Sequence, residues 1–595
     1  MKAVLTGNQA IARGFYEAGG LIAASYPGSP TVEIMETLKE YDEIYAEFAT
    51  NEKVALEVAI GGSLYGARSM ASMKHVGVNI AMDPLMSFTQ SPINGGFVLV
   101  TGDDPGMASS QNEQDNRIIG KFANMGIFYP GTSQEAKDFM KTALELSEKF
   151  KTPMMVDITS RVCHSRGIVE LGDREEVKPK GFTRDQEKYT MLPPHNFKAQ
   201  HFMKERIKDL EEYAYDASFN ILEEVEGSDT LIVTSGLMYY NLKELNLSVS
   251  IYKLGMVYPI SIRRMRELSH KYKNIIVIEE MMPFIENELK LMGIDCKGKE
   301  YFSFTGELFT EDIEEGLHRA GIVKDRKYAD IKPVNTVNRP PMFCAGCPHR
   351  GFFYELGRRK NVMITGDIGC YTLGGADPLN AMDTTICMGA SISVGHGAKK
   401  VLDRYNKNMR VVSVIGDSTF FHTGINSLMD VVYNKSNIIT CILDNRVTGM
   451  TGHQDNPGTG YTLQGEMTEM VDIPSIVRAL GIKHVRTVNP LKINELKEAF
   501  DWAFELNEPS VIITRYPCAL KKLSEFDKKE FEPLKGKCEI DSNKCIGCKR
   551  CVNTGCPAIQ FIKSERKSRI DKVQCVGCNL CVQVCPVNAI SKVGE

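Results

Sequence analysis

The sequence contains no run of about 18 consecutive apolar residues, so nothing in it reads as a membrane-spanning helix. The opening stretch, MKAVLTGNQAIARGFYEAGG, has no sustained apolar segment and no cleavage site, and Arg13 and Glu17 interrupt it. It therefore reads as the start of a folded domain, and the expectation is a cytoplasmic protein. A strong charge imbalance is missing too. The net charge is −4 over 595 residues, which gives no reason to expect a partner in nucleic acid or a membrane surface. The remainder is ordinary for a globular protein, with 43% hydrophobic and 25% charged residues. Such a length exceeds one hydrophobic core and implies about three to five domains.

What stands out against this background is cysteine, of which there are 17. A chain this long has no use for the disulfide framework of a small secreted domain. Eight of the cysteines lie between Cys545 and Cys585, in the runs C545-IG-C548-KR-C551-VNTG-C556-P and C575-VG-C578-NL-C581-VQV-C585-P. The second run has the spacing of bacterial two-cluster ferredoxins, and the first is the same with one residue inserted. Three closely spaced thiolates wrap one cluster while the fourth reaches across to the other. This predicts one 4Fe-4S cluster on Cys545, Cys548, Cys551 and Cys585, and a second on Cys575, Cys578, Cys581 and Cys556. Prolines after Cys556 and Cys585 redirect the chain once the ligand is placed. Structural zinc also uses C-x2-C pairs, but it gains nothing from two triplets with a crossed fourth ligand. From Lys537 onward the tail carries ten Lys or Arg against five Asp or Glu, either to attract an acidic electron carrier or as a solvated face.

A second pattern lies upstream. VVSVIG (411–416) reads as a buried parallel strand and is followed by Asp417 and Ser418; a second apolar strand, NIITCIL, ends in Asp444 and Asn445. The arrangement is close to the G-D-G…N-N signature of thiamine diphosphate enzymes, with Ser418 and Asp444 as departures. Magnesium wants oxygen ligands in octahedral geometry and keeps substrate phosphates. Asp417, Asn445 and the carbonyl of Val447 are the expected protein ligands, with Gly416 and Ser418 beside the phosphates. Strand ends at the switch point of a doubly wound sheet are where such ligands sit.

Together with CAGCPHRG (344–351), GDIGCYTLGG (366–375), CMGASISVGHGAKK, GDSTFFHTG and LDNRVTGMTG, these patterns resemble the 2-oxoacid:ferredoxin oxidoreductases. The resemblance extends through NEKVALEVAIGGSLYGARSM, MKHVG and SSQNEQDNR to the tail. It implies an α/β protein with two thiamine-diphosphate-binding doubly wound parallel-sheet domains, a smaller transketolase C-terminal-like α/β domain and a two-cluster ferredoxin domain. The implied divisions are 1–180 for pyrimidine binding, 181–228 as a charged connecting segment ending in a helix, and 229–330 for the smaller domain. The pyrophosphate-binding domain spans 336–530 and the ferredoxin domain 536–595. Proline-rich IKPVNTVNRPP (331–341) is the expected link.

By the same resemblance, Glu52 contacts N1′ of the cofactor's aminopyrimidine and promotes its activation, with Glu57 in reserve. SYPGSP (25–30) resembles a loop that approaches the substrate, Ser29 taking the hydroxyl position, and Lys74 and His75 are placed to offer positive charge to a substrate carboxylate. Relatives carry a further, proximal 4Fe-4S cluster, whose ligand pattern Cys344, Cys347, Cys370 and Cys518 match. His396, His422 and His453 lie in glycine-rich segments, with no spacing that singles one out. Cys163, Cys296, Cys387, Cys441 and Cys538 are expected to be packing residues. The implied activity is oxidative decarboxylation of an aryl 2-oxoacid such as indolepyruvate, with coenzyme A, passing two electrons singly to ferredoxin. The alternatives are another 2-oxoacid:ferredoxin oxidoreductase, a non-redox thiamine-dependent decarboxylase or carboligase, or a purely electron-transferring subunit. The implied partners are ferredoxin and a small beta subunit, in a heterotetramer of two large and two small chains.

Overall fold

The structure is a computed structural model and describes residues 1–324, 337, 340–405 and 409–594; most of the expected 331–341 link lies outside them. The chain divides into two compact units, Met1–Val334 and Asn335–Glu595.

The first unit is built on a seven-stranded sheet in the order Met256–Tyr258, Gly126–Phe128, Met154–Thr159, Phe97–Asp103, Ser69–Lys74, Ile22–Ser25, Tyr45–Phe48. All neighbours are parallel except Met256–Tyr258, which runs antiparallel to Gly126–Phe128. Phe97–Asp103 and Met154–Thr159 are buried along their whole length, as strands covered by helices on both faces must be. Helix Gly7–Glu17 starts at a capping box, Thr6 accepting from the Gln9 amide and Gln9 from the Thr6 amide. Helix Ser133–Phe150 is capped by Thr132 and ends at Lys151 in the left-handed region, φ 52°.

A second sheet in this unit orders Asn274–Ile278, Thr230–Ser235, Ser250–Leu254 and Ile221–Glu223, with the last strand antiparallel. The apolar run VSIYKLGMVYPI (249–260) divides between the sheets, Ser250–Leu254 joining the small one and Met256–Tyr258 the large one. The connecting segment holds the helix His195–Tyr213 in its middle and ends on the edge strand Ile221–Glu223. Apolar alternation announces a strand without saying which sheet receives it. One core therefore runs under both sheets, from Leu99 and Met155 to Val233 and Val277.

The second unit has a six-stranded parallel sheet ordered Thr384–Thr385, Val362–Gly366, Arg410–Gly416, Ile439–Asp444, Ser510–Arg515, His484–Val488. The tail forms two antiparallel pairs, Lys537–Ile540 with Ile590–Val593 and Ile559–Ile562 with Lys567–Ile570. It shares a core with the sheet domain, Phe352, Leu496 and Phe500 clustering with Ala558, Leu580 and Ile590. The Gln583 amide locks the seam by donating to the Leu491 carbonyl at 2.8 Å and accepting from the Ile493 amide at 3.0 Å.

Candidate active site and cluster cavities

In the first unit the expected residues gather at the carboxyl ends of three adjacent parallel strands, Ser69–Lys74, Ile22–Ser25 and Tyr45–Phe48, the place where doubly wound sheets bind ligands. Glu52 opens helix Glu52–Leu64, whose N-cap Asn51 accepts from the Val54 amide at 2.9 Å. The carboxylate is 6% exposed and lies over Gly77; a Cβ there would sit 2.7 Å from Glu52 Oε1. Glu57 is instead exposed and pairs with Lys53 on the helix surface, which removes it as a reserve.

Lys74 and His75 divide between them what the sequence assigned to both. Lys74 Nζ donates to the Ser109 carbonyl at 2.6 Å, and its Cβ lies 3.2 Å from where one on Gly28 would stand, so the 25–30 loop with Ser29 adjoins it. Burial lowers the Lys74 pKa, opposed by the charge of Asp104. His75 is fully buried, its Nε2 3.2 Å from the Asn112 carbonyl. Burial and then the Lys74 charge push it towards the neutral imidazole. Lys74 is thus the cation of the pair.

In the second unit, strand Arg410–Gly416 delivers Asp417 and strand Ile439–Asp444 delivers Asn445. Gly416 cannot be replaced by a larger residue because the Tyr371 ring occupies the space, 2.5 Å from an added Cβ. Asp444 accepts from Arg515 Nε at 2.7 Å and from the Arg446 amide at 3.2 Å. It is spent on the arginines, consistent with a position that supplies no metal ligand. Arg446 then takes a left-handed turn, φ 60°, between Asn445 and Val447. A π-helical turn, Phe420–Gly424, follows Asp417 closely, a distortion frequent at functional sites.

The turn brings three oxygens together. Asn445 Oδ1 stands 2.8 Å from the Val447 carbonyl and 3.3 Å from Asp417 Oδ1, while Nδ2 faces His349 Nε2 at 3.4 Å. Turning the amide over would let it donate to both oxygens. A divalent cation satisfies them equally well, because an octahedron with Mg–O of about 2.1 Å has edges of about 3 Å. Asp417 Oδ2 is buried without a partner, and burial, then the charge of Asp444, raises this carboxyl to about 7 when no cation is present. The donor set fits magnesium.

Beside these oxygens stand four thiols. Cys370 Sγ and Asn445 Nδ2 are both 3.7 Å from where a Cβ on Gly449 would lie, and the Cys518 amide donates to the Asn445 carbonyl at 2.9 Å. Burial pushes the Cys347 thiol up to about 12 and Cys370 up to about 11; Cys518 reinforces both, and Cys344 acts on Cys370 and Cys518. His453 Nε2 is 3.6 Å from Cys518 Sγ, which distinguishes it from His396 and His422.

The tail forms two partly open cavities, one lined by Cys545, Cys548, Cys551 and Cys585 and the other by Cys556, Cys575, Cys578 and Cys581. These are the two crossed sets read from the spacing. Among the described residues only Asp103, Asp115 and Asp157 bring three ligand atoms within 4.8 Å of one another, and no three thiols do. Zinc would hold its sulfurs about 3.8 Å apart at a Zn–S distance of about 2.3 Å, so the cysteines are not packed as zinc sites.

Cys538 corrects an expectation. It lines the second cavity as a fifth thiol, its backbone amide donating to Cys575 Sγ at 3.2 Å, and its contact with the Cys581 thiol pulls its own pKa down to about 6. Cys387 is exposed, so it is no packing residue, whereas Cys163, Cys296 and Cys441 are buried as expected. Asp367, missed in the sequence, is buried and accepts from the Gly389 and Ser391 amides at 2.7 and 3.1 Å, fastening the Cys370 turn to helix Ala390–Arg404.

Family models match in three places: pyruvate flavodoxin/ferredoxin oxidoreductase, thiamine diphosphate binding, over residues 13–226; the thiamine pyrophosphate enzyme C-terminal binding domain over 367–514; and a 4Fe-4S dicluster domain over 538–592. The chain is similar to the indolepyruvate oxidoreductase subunit IorA of Archaeoglobus fulgidus, 41% identical over 94% of this chain and 93% of that one. The subunits of the same name from Pyrococcus horikoshii and Methanothermobacter marburgensis are 37% and 36% identical, over 100% and 99% of this chain and 97% of each relative.

Proposed function

Because the chain belongs to the family of indolepyruvate oxidoreductase IorA subunits, we propose that it oxidatively decarboxylates an aryl 2-oxoacid, indolepyruvate first among them. Carbon dioxide leaves, the acyl group passes to coenzyme A, and two electrons pass singly to ferredoxin. Thiamine diphosphate, when bound, supplies the electron sink that makes loss of carbon dioxide from a 2-oxoacid possible.

The chain's own residues have separable tasks. Asp417, Asn445 and the Val447 carbonyl would hold magnesium and through it the diphosphate, with Gly416 and Ser418 alongside. Glu52 would hold a proton shared with N1′ of the aminopyrimidine, in a setting where burial makes the interaction strong. Lys74 would orient the substrate carboxylate, with His75 as a neutral hydrogen-bonding neighbour and Ser29 on the approaching loop. Cys344, Cys347, Cys370 and Cys518 would hold a proximal 4Fe-4S cluster, and the tail thiols the two clusters of the dicluster domain. The observation that carries this reading is the convergence of the Asp417, Asn445 and Val447 oxygens beside Cys370 and Cys518. A small beta subunit would complete a heterotetramer. No helix among the described residues is long and apolar enough to cross a membrane; a reducing cytoplasm suits the thiolates.

The test is reduction of viologen or ferredoxin by indolepyruvate, phenylpyruvate, pyruvate and 2-oxoglutarate, each with and without coenzyme A, using the complete complex under anaerobic conditions. Reduction led by aryl substrates and dependent on coenzyme A supports the proposal. Release of carbon dioxide with no electrons delivered would mean a lyase and overturn it.

A further inference from the structure

Arg350 is among the largest fully buried side chains of the protein, 1% exposed, and among the described residues none of its hydrogen bonds goes to a carboxylate. Among the described residues its hydrogen bonds all go to carbonyls, and its guanidinium lies 5.8 Å from the centre of the Phe343 ring. Nη2 donates to Phe343 at 2.9 Å and to Cys344 at 2.8 Å, Nη1 donates to Thr554 at 2.8 Å, and Nε has no partner. The three carbonyls come from two loops far apart in sequence. One carries Cys344 and Cys347, the other runs from Cys551 to Cys556. Arg350 also lines the cavity of Cys556, Cys575, Cys578 and Cys581. The Cys344–Cys347 loop also packs against the loop between Cys575 and Cys578, since Gly346, at φ +76°, has its missing Cβ directed at the Val576 side chain.

A buried cation without an anion costs several kcal/mol, and carbonyl dipoles compensate only part of this. The anions that fit are the thiolates on either side. Cys344 supplies one of the carbonyls that Arg350 bonds, and Cys556 and Cys578 line the cavity that Arg350 helps to wall. A thiolate-ligated iron-sulfur cluster is a net anion and gains one further negative charge on reduction.

We propose that Arg350 is a positioning residue shared by two electron-transfer sites, fixing the Cys344–Cys347 loop against the 551–556 loop and stabilising an added electron at either. In the transfer itself one electron leaves the Cys344, Cys347, Cys370, Cys518 site and arrives at the Cys556, Cys575, Cys578, Cys581 site. No proton moves and the guanidinium keeps its charge, so the cation favours the electron on both sides of the step. The half concerning the proximal site rests on the proximal cluster proposed above; the other half rests on the dicluster domain alone.

The experiment is an EPR-monitored redox titration of the anaerobic complex, with iron analysis, for the native protein and for Arg350→Gln and Arg350→Lys. In Arg350→Gln the reduction equilibrium of the second tail cluster, and of the proximal one, should fall at least about tenfold, or about 59 mV for one electron. The cluster on Cys545, Cys548, Cys551 and Cys585, whose cavity Arg350 does not line, should shift less, and Arg350→Lys should recover most of the loss. Unchanged potentials in Arg350→Gln, or an equal shift of all three clusters, would overturn the proposal. If Arg350→Gln loses iron, Arg350→Lys decides: full iron with near-native potentials supports the role, and loss of the same iron overturns the electrostatic part. A native protein with two cluster signals and no third would sink the proximal cluster, while the shift of the second tail cluster would still judge Arg350.

Discussion

His349 and Asn445, 96 residues apart in sequence, meet imidazole Nε2 to amide Nδ2 at 3.4 Å in a fully enclosed contact. Burial drives the His349 pKa down to about 4, so its ring is neutral and Nε2 can accept. With a cation bound between Asp417 and the Val447 carbonyl, this contact would hold the nitrogen of Asn445 on the His349 side and turn its oxygen to the cation. Replacing His349 with Leu should therefore weaken magnesium-dependent thiamine diphosphate binding by about 10–100-fold, the usual cost of losing an outer-shell partner. Titration calorimetry on the complex measures it, and unaltered affinity would refute the orienting role.

Asp417→Ala removes a cation ligand outright. Activity should vanish while the iron of the tail stays, because the tail thiols belong to a separate set of loops. Viologen reduction and iron analysis on the same sample separate the two; retained activity would remove Asp417 from the metal site.

Gly77→Ala would drive a methyl group into the Glu52 carboxylate. It should lower kcat by about 10²–10⁴, the range of a displaced general acid–base group, as should Glu52→Gln. Glu57→Gln should leave the rate unchanged, since that side chain only pairs with Lys53.

Iron counting separates ligands from neighbours among the thiols. Two four-iron clusters in the tail give eight irons per chain, and a proximal cluster raises this to twelve. Cys370→Ala should remove four of the twelve. Cys538→Ala should remove none, because Cys538 contributes its amide to Cys575 and is not counted among the four ligands of that cavity. Loss of four irons in Cys538→Ala would make it a ligand.

Asp157 sets a pH dependence of stability in the first unit. It is buried beside Asp103 and Asp115, with Arg117 nearby and Thr101 donating to it at 2.7 Å. Burial above all raises its pKa from 3.8 to about 7. The folded state thus holds a proton that the unfolded chain releases near pH 4. The stability tied to that proton is fully present below about pH 4 and is lost as pH rises through about 7. At about 1.4 kcal/mol for each tenfold change in proton affinity, the loss is at most a few kcal/mol. Asp157→Asn keeps the Thr101 bond and removes the titration, so the variant should gain on the native protein between about pH 5 and pH 8 in denaturation midpoint. An equal offset at both pH values would refute the assignment.

Local spacing carried much of this protein. The two cysteine runs place their ligands through loops of two to four residues, too short for the fold to rearrange, so the crossed sets follow from the spacing alone. The ends of VVSVIG and NIITCIL were equally legible, because a parallel strand and the turn beyond it fix where Asp417 and Asn445 emerge. The same spacing could not tell Glu52 from Glu57, which start on one helix and differ only in what packs against them. Nor could it show that Gly255 passes the chain from one sheet to another, that Cys538 enters a cluster cavity, or that Arg350 is buried among backbone carbonyls. Those facts depend on residues brought together from distant parts of the chain, and burial is what gives them their energies. Sequence determined which groups could bind metal and carry electrons; packing decided which side chains would orient them and set their charge.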